Sequence, residues 1–423
     1  MLSLASSLFS QAKNFASLKS SPVKLPLDKI VLISTLYVSQ SIPVSFLKTG
    51  FQVFLKQQGI DYTKMTGILG LLLLPWTIKF LWAPLVDRYG NDGIGHRKSW
   101  IIPLQLLGAA VLVVCAFLPL ESYLLQITLL FLFYSFICAT QDMAVDGLAV
   151  LTLNKQEHGV GNGMQMGGYY LGELVGGALI LVLFSMFGWT VSILALAGVF
   201  LLPLIPVFLH KEQKREIHAA RPKNFLADNK GYLKQESNWW ILLLFIYMGN
   251  QILARTLLPS ILTEHGWSAD DVGYTVGLWG NSASMVGAVL GGLLMNKLGR
   301  KNSLLYYGLL KIPAFLLILF LNQEGISIWC VRGIIMLNDF IAGMATVALF
   351  TVMMDKCRLD FPGTDFSIQQ SFNSIGVLVF VILSGVLKKY AGLDNLIYTA
   401  VILGFISVWI VWRRLDLGDR RDT

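Results

Sequence analysis

Along most of this chain the polar residues are too sparse to give a surface helix a wet face and do not alternate as strands do. Apolar runs of about 18 to 25 residues recur instead, each long enough to cross about 30 Å of hydrocarbon as a helix. Twelve are predicted: 30–52, 64–86, 99–119, 122–150, 161–186, 189–209, 238–262, 270–294, 302–320, 327–354, 365–387 and 393–412. The pattern therefore predicts an all-α protein whose solvent is largely the lipid bilayer. One long polar interruption, 210–237, leaves six spans on either side of it. The expected organisation is a tail 1–28, a six-helix bundle 29–209, the central loop 210–237, a second bundle 238–412 and a tail 413–423.

Composition agrees, with 55% hydrophobic and 14% charged residues and a mean hydropathy of +0.63. Charge adds orientation. Of 33 Lys and Arg, 24 fall in segments on the side of both termini, and only Lys56, Lys64, Lys388 and Lys389 fall opposite. The positive-inside rule predicts that both termini are cytoplasmic. The net charge of +8 belongs to that asymmetry, so no nucleic-acid partner is expected. Cys115, Cys138, Cys330 and Cys357 have no metal-ligand spacing, and all five His lie in loops or at span margins. No metal, cofactor or catalytic cluster is expected, which argues against an enzyme. Residues 1–28 carry too broken an apolar pattern for a signal peptide and read as a tail or surface-lying helix.

The informative residues are the ionisable ones inside the spans: Lys48, Lys79, Arg255, Lys311, Arg332, Asp142, Asp146, Glu173 and Asp339. Charge in hydrocarbon costs a few kcal/mol at least, so such groups face a bundle interior or a wet cavity. Asp142 and Asp146 lie four residues apart and share one helix face. This pattern predicts a carrier of a polar small molecule; a receptor or scaffold has no need of charge there.

The two sets of spans echo each other. GIDYTKMTGILGL from Gly59 aligns with GWSADDVGYTVGL from Gly266, Asp87-Arg88-Tyr89-Gly90 with Asn296-Lys297-Leu298-Gly299, and Gln141-Asp142 with Asn338-Asp339. Duplicated halves around a midplane site are a common build of secondary transporters. The paired loops resemble the signature of the major facilitator superfamily. That resemblance implies twelve transmembrane helices in two pseudo-symmetric six-helix bundles, with a cytoplasmic gate drawn from Asp87, Arg88, Gly90, Arg97, Asn296, Gly299, Arg300 and Lys301. PWTIKFLWAPLVDRYG from Pro75, GHRKSWIIPLQ from Gly95 and ATQDMAVDGLA from Ala139 look like the branch holding muropeptide permeases, acetyl-CoA transporters and siderophore importers. By its compact length the chain looks most like the siderophore importers. The resemblance then implies proton-coupled uptake of a siderophore or ferric siderophore across a bacterial inner membrane, by a monomer. Muropeptides or other wall fragments are the alternative solute.

In the superfamily, helices 1, 4, 7 and 10 surround the cavity, and Lys48, Asp142, Asp146, Arg255, Arg332 and Asp339 fall on them. Asp142, Asp146, Glu173 and Asp339 are the candidates for proton coupling; the competing role for the first two is a structural lock on Arg88 or a neighbouring span. Lys48, Lys79, Arg255 and Arg332 either bind an anionic solute or pair internally. Gln40, Gln141, Asn250 and Gln251 offer neutral hydrogen bonds, and Tyr169, Tyr170 and Trp279 offer stacking faces. Lys311, on an outer helix, is expected to snorkel or pair locally. Pro43 should kink span 1, and the glycines of spans 5 and 8 should form packing seams.

Overall fold

The computed structural model describes residues 25–212, 231–234, 236–322 and 325–415. The two tails and the 210–237 loop therefore lie mostly outside the described residues. Regular structure among those described is helical, apart from one isolated bridge between Asn91 and Gly95. Twelve spans follow in chain order: α1 27–57, α2 62–88, α3 Lys98–Ala116, α4 Leu124–Thr152, α5 158–187, α6 189–209, α7 238–264, α8 269–298, α9 300–322, α10 Ile328–Asp355, α11 362–391 and α12 393–414. Gly188 (φ 74°) turns α5 into α6, and Gly392 (φ 81°) turns α11 into α12. Only glycine takes that left-handed conformation freely, so no further loop is needed.

Several spans are interrupted, among them α5 and α8 by π-helical turns at Val175–Leu179 and Gly273–Gly280. α1 carries a π-helical turn at Phe46–Gly50, just after Pro43. In α2, Pro75 and Pro84 flank a tight 3₁₀ turn at Lys79–Leu81. A proline removes one backbone donor and clashes with the preceding turn, so the helix regathers around it. α7 is broken between Asn238–Ile246 and Gly249–Arg255.

Ion pairs identify one end of the bundle. Lys29–Glu157 at 2.7 Å joins the starts of α1 and α5, and Glu212 beyond α6 accepts from the backbone N–H of Arg97 at 2.9 Å at the start of α3. Lys356–Glu236 at 2.7 Å and Arg300–Asp355 at 2.9 Å do the same for α7, α9 and α10. This end, nearest residues 25 and 415, is called here the tail end. At the far end, Lys388 meets Glu264 at 2.6 Å and Arg332 meets Asp271 at 3.5 Å.

The apolar core shows where the two bundles touch. One cluster, including Phe46, Phe51, Phe54, Phe131 and Phe200, fills the far-end part of α1–α6 and contains no residue from α7–α12. The other runs through all of α7–α12 and crosses into the tail-end part of α1–α6. The halves are thus welded at the tail end and packed separately at the far end. The weld is tight between α5 and α8: a Cβ on Gly292 would stand 2.3 Å from the Gly159 carbonyl oxygen. Exposed Val113, Val114 and Phe117 on α3 and Leu129, Phe133 and Phe136 on α4 turn outward, as a lipid solvent requires.

Candidate transport site

At the tail end a cluster of buried contacts is built around Asp87. Its Oδ2 accepts from the Thr364 backbone N–H and hydroxyl, both at 2.6 Å, and its Oδ1 from the Gly363 N–H at 3.2 Å. These are orphan donors of the first turn of α11, where a carboxylate also meets the positive end of the helix dipole. Arg97 donates to the same carboxylate, and both side chains are fully buried. Gly147 on α4 makes room for this pair, since a Cβ there would lie 2.7 Å from the Arg97 guanidinium carbon. The second clasp centres on Asp355, which accepts from Arg300 Nε at 2.9 Å and meets His158 Nδ1 at 2.6 Å. Arg300 also donates to the Lys155 carbonyl across the halves.

The gate glycines differ in purpose. Gly299 has φ 79° and makes the turn between α8 and α9. Gly90 does not adopt a positive φ; it is small because the His96 ring packs 2.5 Å from where its Cβ would be. Arg88 and Lys301 are half-buried at this end, and Asn296 lies beside Gly159.

Deeper in, the broken turn of α2 aims Lys79 at α4. Its ammonium donates to Asp142, approaches Asp146 Oδ2 at 3.5 Å and donates to Gln370 on α11. The ammonium thus makes two hydrogen bonds and one ion-pair contact, and Asp146 Oδ2 itself accepts no hydrogen bond. Tyr37 on α1 donates to Asp146 Oδ1 at 2.8 Å. The two acids are therefore held by Lys79 of the neighbouring span α2 and, at Asp146, by Tyr37 of α1. With one cation and two carboxylates the cluster carries a net charge of −1 when both acids are ionised. Gln370 and Tyr37 were not singled out from sequence. A Gln pair inside an apolar run was the available signal for the first; an intramembrane Tyr carries none.

A third group lies between α5, α7, α8 and α10. Arg255 Nε meets Asp339 Oδ1 at 3.1 Å, and Nη2 donates to Asn281 at 2.7 Å. Gly280 is required beside it, because a Cβ there would fall 2.2 Å from Asp339 Oδ2. Tyr169 donates to Glu173 at 2.8 Å, and Tyr169 and Tyr170 stack edge-on with centroids 5.6 Å apart.

Other expected contacts lie elsewhere. Gln141 is buried inside the first bundle and donates to Gln105, which binds Ser39 and the Phe200 carbonyl. Asn250 turns into the second bundle and accepts from Lys311 at 3.2 Å, away from the cleft. Lys311 does not snorkel: it is 1% exposed, donates to the Tyr247 carbonyl at 2.6 Å and sits 4.1 Å from that ring's centroid. The carbonyl it caps belongs to the break in α7. Arg332 pairs with Asp271 and lies 5.0 Å over Trp329 at the far rim. Lys48 is exposed on the wide turn of α1, and Trp279 is exposed on α8.

Among the described residues, hydrogen bonds and ion pairs between the two bundles include Lys155–Arg300, His158–Asp355 and Asp87–Thr364 at the tail end, Lys79–Gln370 deeper in, and Tyr170–Ser284 between α5 and α8. Two bundles joined at one end, with charge buried on both sides of the cleft between them, define a multi-pass secondary transporter. The chain belongs to the major facilitator superfamily, whose family model matches residues 32–380. The anhydromuropeptide permease of Escherichia coli K12 is 27% identical over 356 residues, 83% of this chain and 72% of that protein. The putative transporter AmpG 4 of Rickettsia conorii is 25% identical over 393 residues, 90% of this chain and 94% of that one. In fold, the chain is similar to a bacterial homologue of the iron transporter ferroportin (TM-score 0.71, 13% identity, 92% and 99% covered). It is likewise similar to the E. coli fucose:proton symporter (TM-score 0.69, 15% identity, 90% and 96% covered). The Rickettsia match corrects one inference. An AmpG-named relative of about this size exists, so compact length does not set siderophore importers apart from muropeptide permeases.

Proposed function

We propose that this chain is a proton-coupled transporter that carries a cell-wall fragment of the anhydromuropeptide kind across a bacterial inner membrane, with the tail end cytoplasmic. It works as a monomer by alternating access. The substrate class follows the names of the relatives that match most of the chain's length. The orientation rests on the excess of Lys and Arg at the tail end.

The observation that carries the mechanism is the placement of Lys79. Its acceptor Asp142 and its ion-pair partner Asp146 belong to the first bundle, and its other acceptor, Gln370, belongs to the second. Opening the tail end draws α11 from α2 and removes the Gln370 acceptor. The Lys79–Asp142–Asp146 group then needs a new hydrogen-bond partner or a new charge balance in a wet cleft. A proton taken by one carboxylate brings the group from −1 to zero, which eases its passage through a state with the cleft closed. The gate and the proton site are thereby one assembly.

The test is uptake into everted and right-side-out vesicles with labelled anhydromuropeptide and an imposed pH gradient. Accumulation collapses on adding a protonophore. Asp142→Asn and Asp146→Asn lose accumulation while keeping exchange of labelled for unlabelled solute. Accumulation that ignores the pH gradient refutes the coupling, and uptake of a ferric siderophore in place of the wall fragment refutes the substrate.

A further inference from the structure

One acid and one base, in opposite bundles, lie within electrostatic reach of each other but form no ion pair. Glu173 on α5 accepts from the Tyr169 hydroxyl at 2.8 Å and enters no ion pair among the described residues. Arg255 on α7 uses Nε on Asp339 and Nη2 on Asn281, which leaves Nη1 without a protein acceptor and the side chain 28% exposed. Glu173 and Tyr169 lie within electrostatic reach of that guanidinium.

Two buried amides stand at matching depth. Gln40 and Gln251 each lie thirteen residues from the first residue of their helices (Leu27 to Gln40, Asn238 to Gln251), and each is 8% exposed. Both amide atoms of Gln40 and the Oε1 of Gln251 make no hydrogen bond. Buried polar groups are nearly always bonded, so unmet ones call for an explanation.

We propose that this is the solute-binding site, and that it takes a peptide end: the ammonium goes to Glu173, the carboxylate to Arg255, and adjoining amides to Gln40 and Gln251. The assignment rests on the transporter reading above and narrows its substrate to a zwitterionic, peptide-bearing solute. Guanidinium offers a carboxylate a planar fork that an ammonium cannot, while a carboxylate backed by a tyrosine suits a cationic amine. Glu173 and Gln40 belong to the first bundle, Arg255 and Gln251 to the second. One ligand holding all of them bridges the cleft above the tail-end weld and draws the far ends together.

The test uses the purified full chain in nanodiscs, with trialanine, N-acetyltrialanine and trialanine amide as probes in calorimetric titrations. Trialanine should bind, and loss of either end charge should weaken it about tenfold or more, as the loss of a charge-assisted hydrogen bond does. Glu173→Gln keeps shape and the Tyr169 contact; it should weaken trialanine about as much as acetylation does, with little effect on the acetylated probe. Arg255→Lys retains a charge for Asp339 and should weaken trialanine and N-acetyltrialanine but not the amide. Equal binding of all three probes, absence of trialanine binding, or a Glu173→Gln variant that still tells trialanine from its N-acetyl form overturns the assignment. If that happens while anhydromuropeptide still accumulates under a pH gradient, the transporter reading stands and this site alone falls.

Discussion

Thr364→Val probes the gate with little collateral damage. Asp87 is doubly committed, to Arg97 within its own bundle and to the start of α11 in the other. Changing Asp87 itself would strand a fully buried guanidinium, a loss of about 3–5 kcal/mol that would obscure any effect on conformation. Thr364→Val removes only the hydroxyl bond at 2.6 Å; the Thr364 backbone N–H at 2.6 Å and the Gly363 N–H at 3.2 Å still reach the carboxylate. A hydrogen bond to a charged partner contributes about 1.5–3 kcal/mol. That bond exists only while the tail end is shut, so its loss should raise the open-to-shut ratio about 10- to 150-fold.

A reporter for that ratio is available in Met295 on α8, fully buried against Gly159 of α5. In a background with Cys115, Cys138, Cys330 and Cys357 replaced by Ala, Met295→Cys should react with a soluble maleimide only when the tail end opens. Thr364→Val should speed that labelling by the same factor for as long as the shut state predominates. Labelling at the parental rate, in a variant that binds maleimide normally once denatured, would refute the idea that Asp87 and α11 hold the gate.

Three further outcomes follow from packing and charge. Lys79→Met leaves two acids without their cation and should lower unfolding stability in detergent by about 3–5 kcal/mol; adding Asp142→Asn restores the −1 balance and should recover much of it, whereas equal melting of single and double variants would contradict the ion-pair account. Gly147→Ala puts a Cβ 2.7 Å from the Arg97 guanidinium carbon and should destabilise by about 1–3 kcal/mol, seen as a lower melting temperature. Lys311→Met exchanges a buried cation with no carboxylate partner for an apolar side chain of similar length, a change that is often neutral or stabilising; a melting temperature at or above the parent's is expected, in contrast to Lys79→Met.

What the sequence displayed was set by how strongly lipid filters residues. Hydrocarbon tolerates few polar side chains, so the spans stand out by length alone, and α5–α6 and α11–α12 separate at Gly188 and Gly392 even though no loop divides them. The same filter exposed Lys79, Asp142, Asp146, Glu173, Arg255 and Asp339, because charge among apolar residues is conspicuous. Which of them meet was hidden. The Lys79 contact depends on a 3₁₀ turn that two prolines impose on α2, and helical spacing cannot place a side chain thrown off by such a turn. Gln141 and Asn250 show the opposite limit: a polar residue on a cavity-lining helix can turn inward and satisfy its own bundle.

The internal repeat was legible as matched motifs, but its structural meaning is uneven. Asp142 and Asp339 occupy corresponding places on α4 and α10, and each is bound to a cation, Lys79 on α2 and Arg255 on α7. The pseudo-symmetric mate of the α2–α4 pair would use α8, and α8 supplies Asn281 and Gly280 there instead. By the repeat alignment the position of Lys79 falls within Val286–Ala288, which carry no charge, and the cation comes from α7. Duplication therefore supplied two acids at one depth, and divergence of the cation positions separated them. Asp142 is tied through Lys79 to Gln370 on α11, and Asp339 is tied to Arg255 on α7. That division predicts separable phenotypes: Asp142→Asn should alter coupling at unchanged apparent KM in exchange, and Arg255→Lys should raise KM with coupling retained. A shared phenotype for both would mean that the two clusters act as one.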